Sequence, residues 1–326
     1  MDFNLSPGML TAKQNFKPLK SNMTYDVLIL GGGPAGFTAA VYCMRKGVST
    51  GLIVKEIGGQ VAETAGIENY MGFRYINGMD LAMKFKEQVS QFGIDYDEKS
   101  SVDSIEAGEI KKVRMADGRV LSARALIIAT GAAYRKLGVP GEEEFKGRGV
   151  ANCSICDAPF YANKKVVVVG GGNSGIEAAI DLAKVGDKIT VVQLLDRLTG
   201  DKALEDKLNE FKNVEIRFKH EVTSINGSEG IESITVKDGK TGKTDDIPAQ
   251  GIFVEIGLIP NSALAKGVLK LNQNGEIMVD CSCKTSEEGI FAAGDVTDVP
   301  FKQIIIAAGE GAKAALSACN YVLMGE

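Results

Sequence analysis

Short apolar runs that end abruptly in glycine recur along this chain. Tyr25-Asp26-Val27-Leu28-Ile29-Leu30 runs straight into Gly31-Gly32-Gly33-Pro34-Ala35-Gly36, and a helix-like stretch follows to about Lys46. A continuous apolar run of this length predicts a strand buried on both faces, as in a parallel sheet. The order repeats when Lys165-Val166-Val167-Val168-Val169 leads into Gly170-Gly171-Gly172-Asn173-Ser174-Gly175 and a second helix to about Lys184. Both copies carry an alanine four residues after the third glycine, Ala40 and Ala179.

Further apolar runs at 125–129, 251–257 and 289–294 predict more strands. The stretch from about Val214 to Ile256, with turns at Asn226-Gly227 and Asp238-Gly239, predicts strands and a hairpin. An amphipathic helix is predicted from about Gln303 to Leu323. Gly138-Val139-Pro140-Gly141 and Ile259-Pro260-Asn261 have the composition of linkers. The residues after the second linker are too few for a domain, so they are expected to return and complete the first unit. The predicted fold class is therefore α/β, with two Rossmann-like domains, the second inserted into the first. The first comprises residues 1–133 plus 264–326 and the second residues 134–263. A chain of 326 residues has the length for two domains.

Gly31, Gly33 and Gly36, and again Gly170, Gly172 and Gly175, have G-x-G-x-x-G spacing. The first glycine makes the tight turn, the second admits a pyrophosphate against the backbone, and the third lets helix and strand pack closely. The helix start, which includes Asn173 and Ser174 in the second copy, supplies N–H groups and a positive dipole end. One such loop is weak evidence for a nucleotide; two, each between an apolar strand and a helix, are strong.

Charge and composition narrow the chemistry. The formal net charge is −5, which leaves no basic surplus for a nucleic-acid backbone. The single histidine, His220, lies at the end of an expected strand, and one imidazole cannot build a multi-histidine metal site. It is expected to be exposed and structural. No apolar segment is long enough to span a membrane, and the polar first 23 residues are expected to form an extended arm, not a secretory signal. Six cysteines are too few for a disulfide scaffold, so a cytoplasmic location is expected.

Two of those cysteines form Cys153-Ser154-Ile155-Cys156, followed directly by Asp157. On a tight turn or helix start, this spacing brings two sulfurs within bonding reach, and a helix N-terminus favours the thiolate. Half of a zinc site is the alternative, but Cys281-Ser282-Cys283 has the wrong spacing for the other half. No metal is expected. Cys281 and Cys283 are expected on one face of a strand, and Cys43 and Cys319 in the core. Asp157 is either a helix-start acid or a proton donor to a thiolate.

Two nucleotide loops with a C-x-x-C ahead of the second resemble the layout of the low-molecular-weight thioredoxin reductases. Within that family the chain is most similar to the flavoprotein subunit of alkyl hydroperoxide reductase without its N-terminal extension; a ferredoxin-dependent branch also resembles it. The resemblance runs from about Tyr25 to the end. It also rests on Gly58-Gly59-Gln60, Glu68-Asn69-Tyr70, Ala129-Thr130-Gly131 and Gly294-Asp295 with Lys302-Gln303-Ile304. It implies FAD in the first unit, a pyridine nucleotide in the second, and a homodimer that reduces a thioredoxin- or glutaredoxin-like protein. By motif, Gly31, Gly33 and Gly36 would hold the FAD pyrophosphate. Gln60 and Asn69 would border the isoalloxazine, and Asp295 would hold the ribitol. Gln303 and Ile304 would present a helix start to the flavin, with Glu56, Gly59, Thr130, Gly131 and Gly294 completing the FAD set. Cys156 would be the sulfur nearer the flavin, Cys153 its partner, and Asp157 the general acid.

The chain departs from that pattern at one place. NADPH-using members end the second strand of the inserted unit with His-Arg-Arg and a further arginine, which grip the 2′-phosphate. Here Gln193-Leu194-Leu195 and Thr199 stand instead. NADPH is therefore disfavoured, NADH is allowed because Gln193 could accept one hydrogen bond from the ribose 2′-OH, and ferredoxin is the alternative donor. A dithiol oxidase that passes electrons to oxygen, and a flavin- or nucleotide-binding redox sensor, are the competing functions.

Overall fold

The run before the first glycine loop forms β1 (Thr24–Leu30), and α1 (Pro34–Arg45) starts directly after Gly33. This is a computed structural model that describes residues 16–64 and 66–325. The chain continues through β2 (Thr50–Val54), α2 (Gln60–Glu63), α3 (Gly78–Ser90), β3 (Asp95–Glu98), β4 (Val102–Glu106), β5 (Lys111–Met115) and β6 (Val120–Ile128). These strands form one sheet in the order β3-β2-β1-β6-β5-β4. From β3 to β6 the pairing is parallel, and β6-β5-β4 is antiparallel. The pattern in β6 follows that change. Its first half alternates in burial beside antiparallel β5, whereas Ala125–Ile128 is wholly buried, as a strand covered on both faces must be.

Beyond β7 (Ala132–Tyr134) the inserted unit begins with β8 (Val150–Ala151), α4 (Ser154–Asp157), β9 (Lys165–Val169), α5 (Asn173–Ala183), β10 (Lys188–Gln193), α6 (Lys202–Leu208) and β11 (Val214–Phe218). The antiparallel meander β12 (His220–Gly227), β13 (Ile231–Asp238) and β14 (Thr244–Pro248) precedes β15 (Gly251–Val254). Its main sheet is parallel throughout, in the order β11-β10-β9-β15-β8. After β16 (Leu258–Pro260), the chain returns to the first sheet with β17 (Ile290–Ala292), which pairs parallel with the C-terminal half of β6, and ends in α7 (Ile304–Met324).

By internal packing, one unit holds the chain through Thr64, Tyr70–Ala133 and the chain from Ile259. The other holds Tyr134–Leu258 and a short segment ending at Asn69. Each has cores on both faces of its own sheet. In the first unit α7 lies backbone-to-backbone on α1: a Cβ at Gly311 would stand 2.1 Å from the Ala35 carbonyl oxygen. Cys43 and Cys319 meet in that contact, both fully buried with sulfurs 3.9 Å apart. The hydrogen bond to Cys319, and then burial, push the Cys43 thiol up, so both are core residues.

Cys281 and Cys283 do not share a strand face. The Asp280 carboxylate accepts the amides of Ser282 and Lys284 at 2.8 and 2.9 Å, and Cys283 adopts a φ of 63°. That side-chain capture of the backbone wins over the apolar alternation, leaving Cys281 exposed and Cys283 buried. Of the expected N-terminal arm, residues 1–15 lie outside the described residues. Lys17 pairs with Asp95 beside β3, and Phe16 stacks on Tyr96 with centroids 4.3 Å apart. His220 opens β12 with its Nδ1 2.7 Å from the Phe218 carbonyl oxygen, a local structural contact. Among the described residues, no helix is long and apolar enough to cross a membrane.

Candidate active site

The two glycine loops are built alike. Gly31 has a φ of 128°, and a Cβ there would lie 2.1 Å from the Ala129 carbonyl oxygen. At Gly170, with a φ of 121°, it would lie 2.2 Å from the Glu255 carbonyl oxygen. The third glycines, Gly36 and Gly175, press on Gly31 and Gly170, with their would-be Cβ atoms 1.9 and 2.2 Å from carbonyl oxygens. The middle glycines face open space: Gly33 has nothing nearer than 3.9 Å and Gly172 nothing nearer than 3.8 Å. Neither α1 nor α5 has a side-chain cap, so their first-turn N–H groups are aimed at that space. A dinucleotide pyrophosphate fits both cradles.

In the first unit, the Gly58 amide donates to the Gly32 carbonyl, and Gly59 caps α2, which begins at Gln60. Gln60 donates from Nε2 to the Ala132 carbonyl at 2.6 Å and approaches the Asp295 carboxylate at 3.5 Å. Thr130 and Gly131 are clasped by Asn261, whose side-chain amide donates to the Thr130 carbonyl and whose backbone amide donates to the Gly131 carbonyl. Gly294 donates to the buried Glu310 carboxylate at 2.9 Å. Burial pushes the neighbouring Asp295 carboxyl up to about 6, against the pull of Lys302 and with the push of Glu310. Gln303 is the N-cap of α7 and Ile304 its first residue; Glu56 is exposed just past β2. The predicted FAD residues in this unit therefore gather at the C-terminal ends of the parallel strands of its sheet, where such folds bind ligands. Asn69 is the exception, since it packs with the inserted unit, where its side chain hydrogen-bonds the Cys156 sulfur.

The nucleotide end of the inserted unit is less receptive. Gln193 is buried and folded into its own turn, with its amide nitrogen donating to the Arg197 carbonyl at 3.1 Å and its amide oxygen accepting the Leu194 amide at 3.0 Å. It lies against Gly171 as Val54 lies against Gly32. Asn173 is tied to Asp201 through its side chain, and the Thr199 amide donates to the Gly171 carbonyl at 2.7 Å. Ser174 is exposed on the first turn of α5. Glu56 stands twenty residues after Gly36; the equivalent place, twenty after Gly175, holds Leu195. Leu194 and Leu195 are 66% and 48% exposed, and with Asp196, Lys219, Glu221 and Gly239 they line an open cleft of about 370 Å³.

The dithiol sits where β8 ends. Cys153 is the N-cap of α4 in extended conformation, and Cys156 lies in the single turn that follows. Both are thiols, with no disulfide between them, and they are hydrogen-bonded to each other. That hydrogen bond, then burial, then the charges of Cys153 and Asp157 push the Cys156 thiol up. Burial alone pushes Asp157 up to about 6. Tyr161, packed edge-on against Phe253, is pushed up to about 12 by burial and by Asp157. The turn therefore holds two sulfurs able to bond and an acid poised to hold a proton near neutrality.

Three residues of these sites escape motif reading. Glu310 is hidden in an apolar helix, Asn261 in a linker, and Glu255 at the end of a strand. Burial pushes Glu255 up to about 8, with the charges of Cys153 and Glu177 adding to it.

Residues 25–311 match the model of the pyridine nucleotide-disulphide oxidoreductase family. An alkyl hydroperoxide reductase subunit of Escherichia coli is 43% identical over 95% of the chain. That alignment covers 61% of the relative, so the chain spans about three fifths of the length of the curated relatives it matches. The structure of thioredoxin reductase from Streptococcus pyogenes superposes with a TM-score of 0.87 at 37% identity, covering 94% of this chain and all of the other. Thioredoxin reductase from Giardia duodenalis also gives 0.87, at 32% identity, covering 92% and 99%.

Proposed function

The chain belongs to the pyridine nucleotide-disulphide oxidoreductase family, and from that premise we propose that it is a flavin-dependent disulfide reductase. It would act through Cys153 and Cys156 on a thioredoxin- or glutaredoxin-like protein, with NADH as electron donor. The observation that carries the reading is the dithiol turn: two cysteines whose side chains are hydrogen-bonded to each other within one helical turn, with a buried acid in the same turn. Names of similar proteins, a thioredoxin reductase and a hydroperoxide reductase subunit, support it.

Gly31, Gly33, Gly36, Gln60, Thr130, Gly131, Asp295 and the start of α7 would hold FAD. Bound FAD supplies a two-electron carrier between the donor and the dithiol. The chain does the rest. The first turn of α1 neutralises phosphate charge, and Asp157 holds the proton that a Cys156 thiolate needs. Exchange with a substrate disulfide then proceeds by thiolate attack.

NADH is favoured over NADPH because Leu194 and Leu195 stand where the arginine pair of NADPH-using members would stand, and an apolar pair cannot compensate a 2′-phosphate. One observation favours a second reading, ferredoxin as donor: Gln193 spends its amide on Leu194 and Arg197, and Leu195 stands where an acid would meet a ribose. The open cradle at Gly172 supports the nucleotide. The test is anaerobic bleaching of the flavin absorbance by NADH, NADPH or reduced ferredoxin, followed by a thioredoxin. Bleaching by NADH that the thioredoxin reverses is the expected result. Bleaching by ferredoxin alone would transfer the donor role, and flavin reduction that never reaches the cysteines would sink the disulfide reading.

A further inference from the structure

The two units repeat one local design, and they differ at one buried position. Ala129 follows β6, donates its amide to Leu30 at 2.8 Å and lays its carbonyl on Gly31. Glu255 follows β15, donates its amide to Val169 at 2.9 Å and lays its carbonyl on Gly170. Where the first unit has a methyl group, the second has a carboxyl.

Strand register brings that carboxyl to the dithiol. Phe253 pairs with Ala151 in the parallel β15–β8 ladder, and the chain is still extended at Cys153, with φ −145° and ψ 103°. Cys153 and Glu255 are thus each two residues beyond a paired couple, at the C-terminal edge of adjacent strands. Side chains two apart share a face, and Cys153 acts electrostatically on Glu255. The other charge acting on it is Glu177 on α5, also negative. A cation, Arg135, lies two residues on against Gly257 and is exposed to solvent. Asp157 bears on Cys156 and Tyr161 from the dithiol turn.

We propose that Glu255 is a second proton-holding group of the dithiol, serving Cys153 as Asp157 serves Cys156. The proposal rests on the disulfide-reductase reading above and deepens it. Closing the Cys153–Cys156 bond against a protein disulfide breaks that disulfide and delivers two electrons to its sulfurs. The Cys153 thiol proton passes to Glu255 and the Cys156 proton to Asp157, and both protons end on the two departing substrate sulfurs. On re-reduction the same groups return protons to Cys153 and Cys156. Burial pushes Glu255 up to about 8, so both of its forms are populated near neutrality: the ionised form takes the Cys153 proton and the protonated form returns it, while ionised Cys153 and ionised Glu255 disfavour each other.

The test isolates Cys153 in a Cys156→Ser, Cys281→Ser background, which removes the exposed Cys281 thiol as well, and measures its alkylation rate by iodoacetamide against pH. With Glu255 present, the profile is expected to show two steps. Glu255→Gln is expected to leave a single step with its midpoint lowered by about one pH unit, the faster reaction showing from about pH 8 upward, where Glu255 is ionised. Glu255→Ala, which copies Ala129, should do the same, and Glu255→Asp should restore two steps. A profile unchanged by both the Gln and Ala substitutions overturns the proposal. The readout needs neither donor nor protein substrate. If no donor drives turnover, the functional reading fails while the Cys153–Glu255 coupling stands; if turnover is normal and the profile unchanged, only the coupling fails.

Discussion

Asp157 and Cys153 close the same helical turn, the Asp157 amide donating to the Cys153 carbonyl oxygen at 3.0 Å. The acid therefore travels with both sulfurs, whatever else moves. Burial holds its carboxyl at about 6. A proton donor must be protonated, so the step it serves slows as pH rises above about 6. Asp157→Asn is expected to lower turnover by about 10²-fold and to flatten that limb of the pH profile. Stopped-flow rates of re-reduction of the Cys153–Cys156 disulfide between pH 5 and 8 check it; a variant that keeps the limb would assign the proton to another group.

Gly172 separates a nucleotide donor from a protein donor. Its φ of −87° suits any residue, and a Cβ there meets nothing nearer than the Thr199 hydroxyl at 3.8 Å. Gly172→Ala should thus fold with an unchanged melting temperature while placing a methyl group where the second pyrophosphate would lie. The KM for NADH is expected to rise about tenfold, the loss of ~1.4 kcal/mol of binding. Reduction by ferredoxin should be untouched. Unchanged NADH kinetics would remove the nucleotide from this cradle.

Much of this architecture is legible in the sequence because it is written locally. The glycine loops, the C-x-x-C and the apolar strands each carry their reason within a few residues. What escaped depends on distant partners. Glu255 reads as one acid in an apolar run until the β15–β8 register sets it beside Cys153. Glu310 reads as a helix residue until Gly294 donates to it. Gln193 reads as an available amide until the turn at Arg197 claims it. Cys281 and Cys283 read as a strand because alternation is visible and the Asp280 side-chain capture is not.

Leu194 and Leu195 offer a gain-of-function check. They are solvent-exposed at the end of β10, so cations there need no repacking. Leu194→Arg with Leu195→Arg is expected to raise kcat/KM for NADPH about tenfold and to leave NADH nearly unchanged, because only NADPH carries the added phosphate. Exposed charge of this kind is screened, so the gain should shrink as salt rises. An equal gain for both nucleotides would point to general electrostatic attraction.

Asp295 links the flavin site to stability. Burial pushes its carboxyl up to about 6, with Lys302 opposing and Glu310 adding to the rise. Its pKa in the folded chain is thus above the unfolded value of 3.8. The sign follows: its contribution is fully present below about pH 4 and is lost as pH rises through about 6. Above that, the ionised group burdens the flavin-free protein by an amount on the order of 2–3 kcal/mol. Asp295→Asn removes the ionisation and keeps the shape. The flavin-free variant is expected to melt several degrees above the unsubstituted protein at pH 8 and level with it at pH 4. The same variant should bind FAD more weakly, since the amide replaces a carboxylate acceptor at the position expected to meet the ribitol. Parallel melting curves at both pH values would mean that Asp295 is already neutral, or solvated, across this range. A higher melting temperature at pH 8 together with weaker flavin binding would show stability given up at this carboxyl in exchange for function.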